Sequence, residues 1–194
     1  MPYFTVFTPT YNRAYILPKL YHSLREQTCK DFEWMIVDDG STDDTGKLVA
    51  QWEEQNNGFD IRYCKVSNGG KPRAINFGIA KASGEFFFMV DSDDRLTTDA
   101  VQKMLLWCKE IEDDPTFVGV GAARGYPDGS YLKGTAPRTN EHGYVDATNL
   151  DRNNLIWTQI CARPIRSLFF SGFPWQSGPE KSLLRSRLHS TRSP

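Results

Sequence analysis

No stretch of this chain approaches the roughly 18 consecutive apolar residues that a membrane-spanning helix requires. Charge of one sign is also missing. With 23 basic side chains against 24 acidic ones, the formal net charge is -1, so neither nucleic acid nor wholesale attraction to an anionic membrane is expected. The four cysteines, Cys29, Cys64, Cys108 and Cys161, stand far apart, without zinc-type pairs or a disulfide framework, and read as reduced, mostly buried thiols. Histidine occurs three times, as His22, His142 and His189, and there is no GxSxG elbow, which leaves serine-hydrolase chemistry without support. The N-terminus lacks the basic and apolar blocks of a leader peptide, so a cytoplasmic setting is expected, compatible with peripheral docking on a membrane face.

What is present is alternation. The β-rich run YFTVFT at residues 3–8 stops at Pro9 and leads into Ile16, Leu17, Leu20 and Leu24 at helical spacing. FEWMIVDD is a second apolar run, followed by the turn and cap chemistry of GSTDDTG and a polar helix from about Thr45 to Gln55. IRYCKVS then turns at NGGK into AINFGIAKA, a short helix whose small residues allow close packing. EFFFMVD is almost continuously apolar, as suits a strand covered on both faces. Four such units predict an α/β fold with a mostly parallel sheet between two helical layers and its strand-end loops on one edge. A further helix is expected from about Thr98 to Ile111, with Val101, Leu105 and Cys108 on one face, and FVGVGAA and SYLKG resemble a hairpin.

Chemistry concentrates at the predicted strand ends. VDSDD at residues 90–94 puts three carboxylates within four positions, and on an extended strand Asp91 and Asp93 would face one small volume. Two carboxylates so placed repel unless a cation lies between them, and oxygen ligands favour Mg²⁺ or Mn²⁺. The plainer alternative is a solvated acidic turn capping the next helix. Asp38 and Asp39 in VDDGSTDDT can accept hydrogen bonds from a nucleobase or ribose, or else serve as strand-to-helix punctuation with Gly40, Ser41 and Asp43. NGGKPRAIN carries Lys71 and Arg73 toward anionic oxygens but lacks Walker spacing. In TPTYNRA, Tyr11 can lay its ring against a flat base, or act simply as a loop anchor. GVGAARG at 119–125 has the wrong glycine spacing and comes too late for a dinucleotide fingerprint, and a nucleotidyltransferase would carry a glycine-rich basic loop where TPTYNRA stands.

TPTYNR, VDDGSTD, GGKPRAIN and VDSDD, in this order and at these strand ends, resemble family 2 glycosyltransferases of the GT-A fold, over roughly residues 3–110. The resemblance implies a Rossmann-like nucleotide-binding half in which Thr8, Pro9 and Tyr11 line the nucleotide pocket and Asp39 contacts the base. Lys71 or Arg73 would then lie near the base or the diphosphate, Asp91 would meet the ribose, and Asp93 would hold Mn²⁺ or Mg²⁺. It further implies a nucleoside-diphosphate sugar donor, UDP-linked in particular, and inverting transfer to a hydroxyl of a saccharide or lipid-linked acceptor, as in polysaccharide biosynthesis.

The catalytic base expected on the acceptor side is not identifiable. Asp146 and Asp151 in YVDATNLDRNNLI precede its expected position, and Glu180 belongs to a segment of different character. From Trp157 the chain holds seven of its thirteen serines, and six basic residues against the single acid Glu180, without a sustained helix or strand period. Residues 1–156 thus read as a GT-A domain incomplete on the acceptor side, and 157–194 as an atypical Ser/Arg/Pro-rich tail, disordered or produced by a shifted reading frame. General-base help is typically worth about 10² to 10⁴-fold in rate, so a chain without it would bind a nucleotide sugar without turning it over.

Overall fold

The computed structural model describes residues 1–114, 117–122, 125–126, 144–148, 159–162 and 185–189, with the last three stretches as backbone only. The chain divides into two compact units within its fourth helix, between Lys103 and Met104.

In the first unit, strands β1 (Phe4–Thr10), β2 (Phe32–Asp38), β3 (Asp60–Lys65) and β4 (Phe86–Met89) alternate with helices α1 (Leu17–Arg25), α2 (Thr45–Glu53) and α3 (Lys71–Lys81). The strands lie in the order β3-β2-β1-β4, all parallel, with Phe4 beside both Phe32 and Phe86 and Thr10 beside Asp38. β1 and β2 are buried along their whole length because helices cover both faces of the sheet. On one face Phe7, Met35, Val37 and Phe87 pack with Ala74 of α3. On the other, Tyr21 of α1 stacks on Trp52 of α2 at 4.2 Å and lies against Trp34. This is the expected three-layer α/β arrangement. Because the chain runs outward from β1 to β3 and then returns to β4, the order reverses between β1 and β4, where open α/β sheets form a crevice at the strands' C-terminal ends.

Close packing of α3 depends on Gly78, since a Cβ there would sit 2.2 Å from Cε2 of the buried Phe7 ring. A second device ties the strands' other ends. Glu33, 3% exposed, accepts hydrogen bonds from Thr5 Oγ1 at 2.6 Å, Arg62 at 2.8 Å and the Ser83 amide at 2.8 Å. One carboxylate on β2 thereby joins β1, β3 and the turn before β4.

Helix α4 (Ala100–Glu110) buries Val101, Met104 and Cys108, and Ile111 just beyond its end is buried as well. Met104 rather than Leu105 is on its buried face, because the i, i+3, i+7 spacing from Val101 passes through 104. In the second unit, β5 (Phe117–Ala122) pairs antiparallel with β7 (Gln159–Ala162) and parallel with β8 (Arg185–His189), and β6 (Tyr144–Thr148) pairs antiparallel with β8. The expected hairpin partner SYLKG lies outside the described residues. Strands β7 and β8 lie beyond Trp157, in the segment whose sequence shows no sustained strand period. Pairing with β5 and β6 makes these strands, and a local hydropathy pattern does not register that.

Two outcomes follow for stability. Gly78→Ala should cost about 1–3 kcal/mol through overpacking against Phe7, read as a lowered midpoint in denaturant unfolding. Burial opposes the charge on Glu33, but the bonds from Arg62, Thr5 and Ser83 outweigh it and hold its carboxyl below the ordinary value. A depressed folded-state pKa stabilises the fold above the unfolded value of about 4.3, and that contribution disappears as pH falls through the lower folded value. Glu33→Gln should therefore cost about 1–2 kcal/mol at pH 7, less than a fully buried pair because Arg62 is partly exposed, and the gap between variant and parent should close on titration below pH 4.

Candidate functional site

Backbone geometry brings the four strand ends together. A cavity of about 390 Å³ opens at the C-terminal edge of the first unit's sheet, lined by Pro9 near the end of β1 and Tyr11 just after it, Asp39 after β2, Lys71 at the start of α3, and Asp91 and Asp93 after β4. Thr10, Arg13, Ala74 and Ser92 complete its wall. Six of the eight residues singled out in the sequence thus share one volume.

Two do not. Thr8 is fully buried, and its hydroxyl accepts the Trp34 indole N–H at 3.0 Å. Since β1 is covered on both faces, Thr8 belongs to the core under α1 and α2 and not to the cavity surface. Arg73 is exposed on α3 and is not part of the wall; its side chain lies across Gly69, within 2.5 Å of where a Cβ on that glycine would be. Lys71, two positions earlier, takes the inward place.

The adjacent carboxylates of β2 have separate tasks. Asp38 is fully buried, accepting the Ser41 amide at 2.7 Å and a short bond from the Tyr63 hydroxyl. Burial and this carboxylate push the Tyr63 phenol well above its ordinary pKa. Asp38 is structural. Asp39, 6% exposed, accepts the amides of Gly69 at 2.8 Å and Gly70 at 2.7 Å, one on each oxygen. Gly70 caps α3 with φ of +88°, a backbone state that glycine adopts without strain. A carboxylate has about four acceptor positions, so Asp39 keeps capacity toward the cavity while it fixes the loop that presents Lys71.

The acidic cluster differs from its expected form. β4 ends at Met89, and Asp91 to Asp94 make a turn in which the Asp94 amide donates to the Asp91 carbonyl at 3.0 Å. Strand alternation is therefore not what aligns Asp91 with Asp93; the turn brings both to the cavity. Each faces a cationic side chain. Lys71 Nζ lies 2.6 Å from Asp91 Oδ1, and an Arg13 guanidinium nitrogen lies 3.8 Å from Asp93 Oδ2. Two cations against three carboxylates leave the cavity wall nearly balanced in charge.

Arg13 was not singled out in the sequence, although it stands inside TPTYNR. Only the curl of the loop after β1, where Asn12 has φ of +51°, brings it back over Asp93. Among the described residues, no group of three or more His, Cys, Asp or Glu side chains converges as a metal cage. Two carboxylates at one cavity still suit Mg²⁺ or Mn²⁺, which accept one or two protein carboxylates and take their other ligands from phosphate and water. They do not suit a closed structural zinc site.

A family model for glycosyl transferase family 2 matches residues 5–173. The chain belongs to that family. The matched span runs past Trp157, so the change in composition there falls within the family's extent. Poly(ribitol-phosphate) beta-N-acetylglucosaminyltransferase TarS of Staphylococcus aureus is 32% identical over 139 residues, which are 69% of this chain and 24% of TarS. The chain thus spans about a quarter of that relative's length. The crystal structure of TarS residues 1–349 in complex with UDP aligns with a TM-score of 0.54 at 31% identity, over 72% of this chain and 41% of that one. A mannosyltransferase from Pyrobaculum calidifontis, in complex with GDP-Man and Mn²⁺, aligns with a TM-score of 0.57 at 27% identity, over 64% of this chain and 36% of its own. The fold is that of the GT-A glycosyltransferases.

If Asp39 fixes the glycine loop, its replacement should loosen that loop without any ligand. Amide hydrogen exchange at Gly69 and Gly70 should quicken on the order of tenfold in Asp39→Ala, as expected for losing a charge-assisted hydrogen bond, and by less in Asp39→Asn, which retains one acceptor. Unchanged protection at both glycines would contradict this role.

Proposed function

We propose that this chain carries the donor-binding part of a metal-dependent, inverting glycosyltransferase that moves a sugar from a nucleoside diphosphate, UDP in particular, to an acceptor hydroxyl on a saccharide or lipid-linked substrate. The observation that carries this reading is the single cavity shared by Tyr11, Asp39, Lys71, Asp91 and Asp93 at the reversal of strand order. Membership of the family supports it, as do the UDP in the TarS complex and the GDP-Man with Mn²⁺ in the mannosyltransferase complex.

In this reading Tyr11, 48% exposed at the cavity, offers its ring to the base, and the remaining acceptor capacity of Asp39 takes the base's N–H donors. Asp91 accepts from the ribose hydroxyls. Lys71 and Arg13 exchange their carboxylate partners for the diphosphate oxygens, so their ion pairs with Asp91 and Asp93 hold both cations near where anionic charge arrives. Asp93, released from Arg13, is the metal ligand, with Asp91 beside it. A divalent cation held there supplies Lewis-acid stabilisation of the charge that grows on the leaving diphosphate oxygen. The acceptor hydroxyl needs a general base. Asp151 and Glu180 lie outside the described residues, and Asp146 is on β6 with only its backbone described. The proposed setting is cytoplasmic, in keeping with free thiols at Cys29 and Cys64.

A thermal-shift panel of nucleoside-diphosphate sugars with and without Mn²⁺ tests this reading, since a ligand at 100 times its Kd adds about 2.7 kcal/mol of stability. UDP-sugars with Mn²⁺ should raise the midpoint most. Asp93→Ala should abolish the Mn²⁺ increment while leaving the unliganded midpoint close to the parent's. Equal metal dependence in parent and variant would refute the role of Asp93, and no response to any nucleotide would refute the donor-site reading. Sugar-transfer assays with the same donors then separate a catalyst from a chain that binds without turnover.

A further inference from the structure

Asn12 is flanked by two residues of the cavity wall, Tyr11 and Arg13, but is not itself part of that wall. It is the one non-glycine residue with positive φ among the described residues, at +51°. That left-handed conformation is uncommon for most side chains and comparatively accessible to asparagine.

Its backbone amide and its side-chain oxygen both turn to the loop after β2. The Asn12 amide donates to Ser41 Oγ at 2.7 Å, while Oδ1 accepts from the Thr42 amide at 2.8 Å and more distantly from the Asp43 amide at 3.3 Å. The Thr42 hydroxyl reaches the same oxygen at 3.4 Å. Asp43 answers from the other side, its Oδ2 accepting the Ala14 amide at 3.0 Å while its Oδ1 takes the Thr45 amide at 3.1 Å at the start of α2. The two loops therefore hold each other reciprocally. The second loop is itself fixed to the sheet: Ser41 donates its amide to buried Asp38, and its carbonyl accepts from Lys65 Nζ at 2.6 Å. The segment carrying Tyr11 and Arg13 is thus braced on β2 and β3, and Asn12 is the one residue of that segment whose side chain takes part in the bonds between the two loops.

The geometry points to Asn12 as a positioning residue: it latches the loop after β1 onto the loop after β2, setting Tyr11 and Arg13 at the cavity and thereby setting nucleotide affinity without touching the nucleotide. This rests on the donor-site reading above. The left-handed backbone at Asn12 sends residues 11 and 13 toward the cavity while residue 12 points away. Without the Oδ1 acceptor the amides of Thr42 and Asp43 lose their partner, and toward the loop after β2 the loop after β1 keeps only the bonds of its Asn12 and Ala14 amides.

Asn12→Gly tests this in the full chain, because glycine tolerates the same φ and removes only the side chain. UDP with Mn²⁺ should bind about tenfold more weakly than to the parent, as the loss of one well-made hydrogen-bond set implies, at a melting midpoint near the parent's. Asn12→Asp keeps an acceptor and should recover most of the affinity. In a chain already carrying Tyr11→Ala and Arg13→Ala, Asn12→Gly should have little further effect, since a residue acting through those two has nothing left to position. Parent-like affinity in Asn12→Gly, or the same fold-loss in the double-variant background, would overturn the proposal.

Amide exchange at Ala14 and Thr42 reads the latch without nucleotide, and should quicken about tenfold in Asn12→Gly. Unchanged exchange overturns the latch. Failure of the parent to bind UDP, with exchange quickened as expected, overturns the donor-site reading alone.

Discussion

The carboxylate of Asp39, closed on the amides of Gly69 and Gly70 at 2.8 and 2.7 Å, is the contact on which the site depends. It joins the end of β2 to the start of α3, and so fixes where Lys71 emerges. Lys71 in turn spans to Asp91 beyond β4. Three loops from separate strands are thereby linked around one volume. A buried charge held by two backbone N–H groups is favourable where an isolated one is not, which is why the carboxylate can be both a structural tie and a surface of the cavity.

Below this edge the parallel sheet supplies rigidity at little cost in sequence. Aromatic stacking of Tyr21, Trp34 and Trp52 on one face, and the Phe7, Met35 and Phe87 cluster on the other, leave the strands no freedom to slip, because a shift of one residue would exchange the two buried faces. Glu33 does at the opposite edge what Asp39 does here, joining neighbouring strands through a single carboxylate. Charge in this unit is therefore used mainly as a tie, and the cavity is where carboxylates meet cationic side chains that a ligand can displace.

The order of elements was legible in the sequence because hydropathy period reports burial directly. The placement of Asp39, Asp91 and Asp93 at one edge was legible as well, since polar residues closely following the strands of a parallel sheet emerge together there, and that of Lys71 was legible from the glycine turn ahead of it. Choices between neighbours were not. Asp38 and Asp39 are the same residue type side by side, and only Tyr63 on β3 and the glycine loop before α3 decide which one is inward. Thr8 was expected at the pocket from the family resemblance, but a strand covered on both faces has no exposed side for alternation to mark, and Thr8 is buried. Lys71 and Arg73 both follow the glycine turn, and the first turn of α3 selects between them. Arg13 reaches Asp93 only through the left-handed turn at Asn12, a backbone property that no periodicity carries. The strands β7 and β8 were missed because distant partners form them.

The central claim is that the cavity at the reversal of strand order holds a cation-bridged nucleoside diphosphate. Diffraction from crystals grown with UDP and Mn²⁺, recorded at the manganese absorption edge, tests it most directly. The account predicts an anomalous peak against the Asp93 carboxylate, with the diphosphate beside Lys71 and the base against Tyr11. Nucleotide bound elsewhere on the chain, with no manganese beside Asp93, would contradict it.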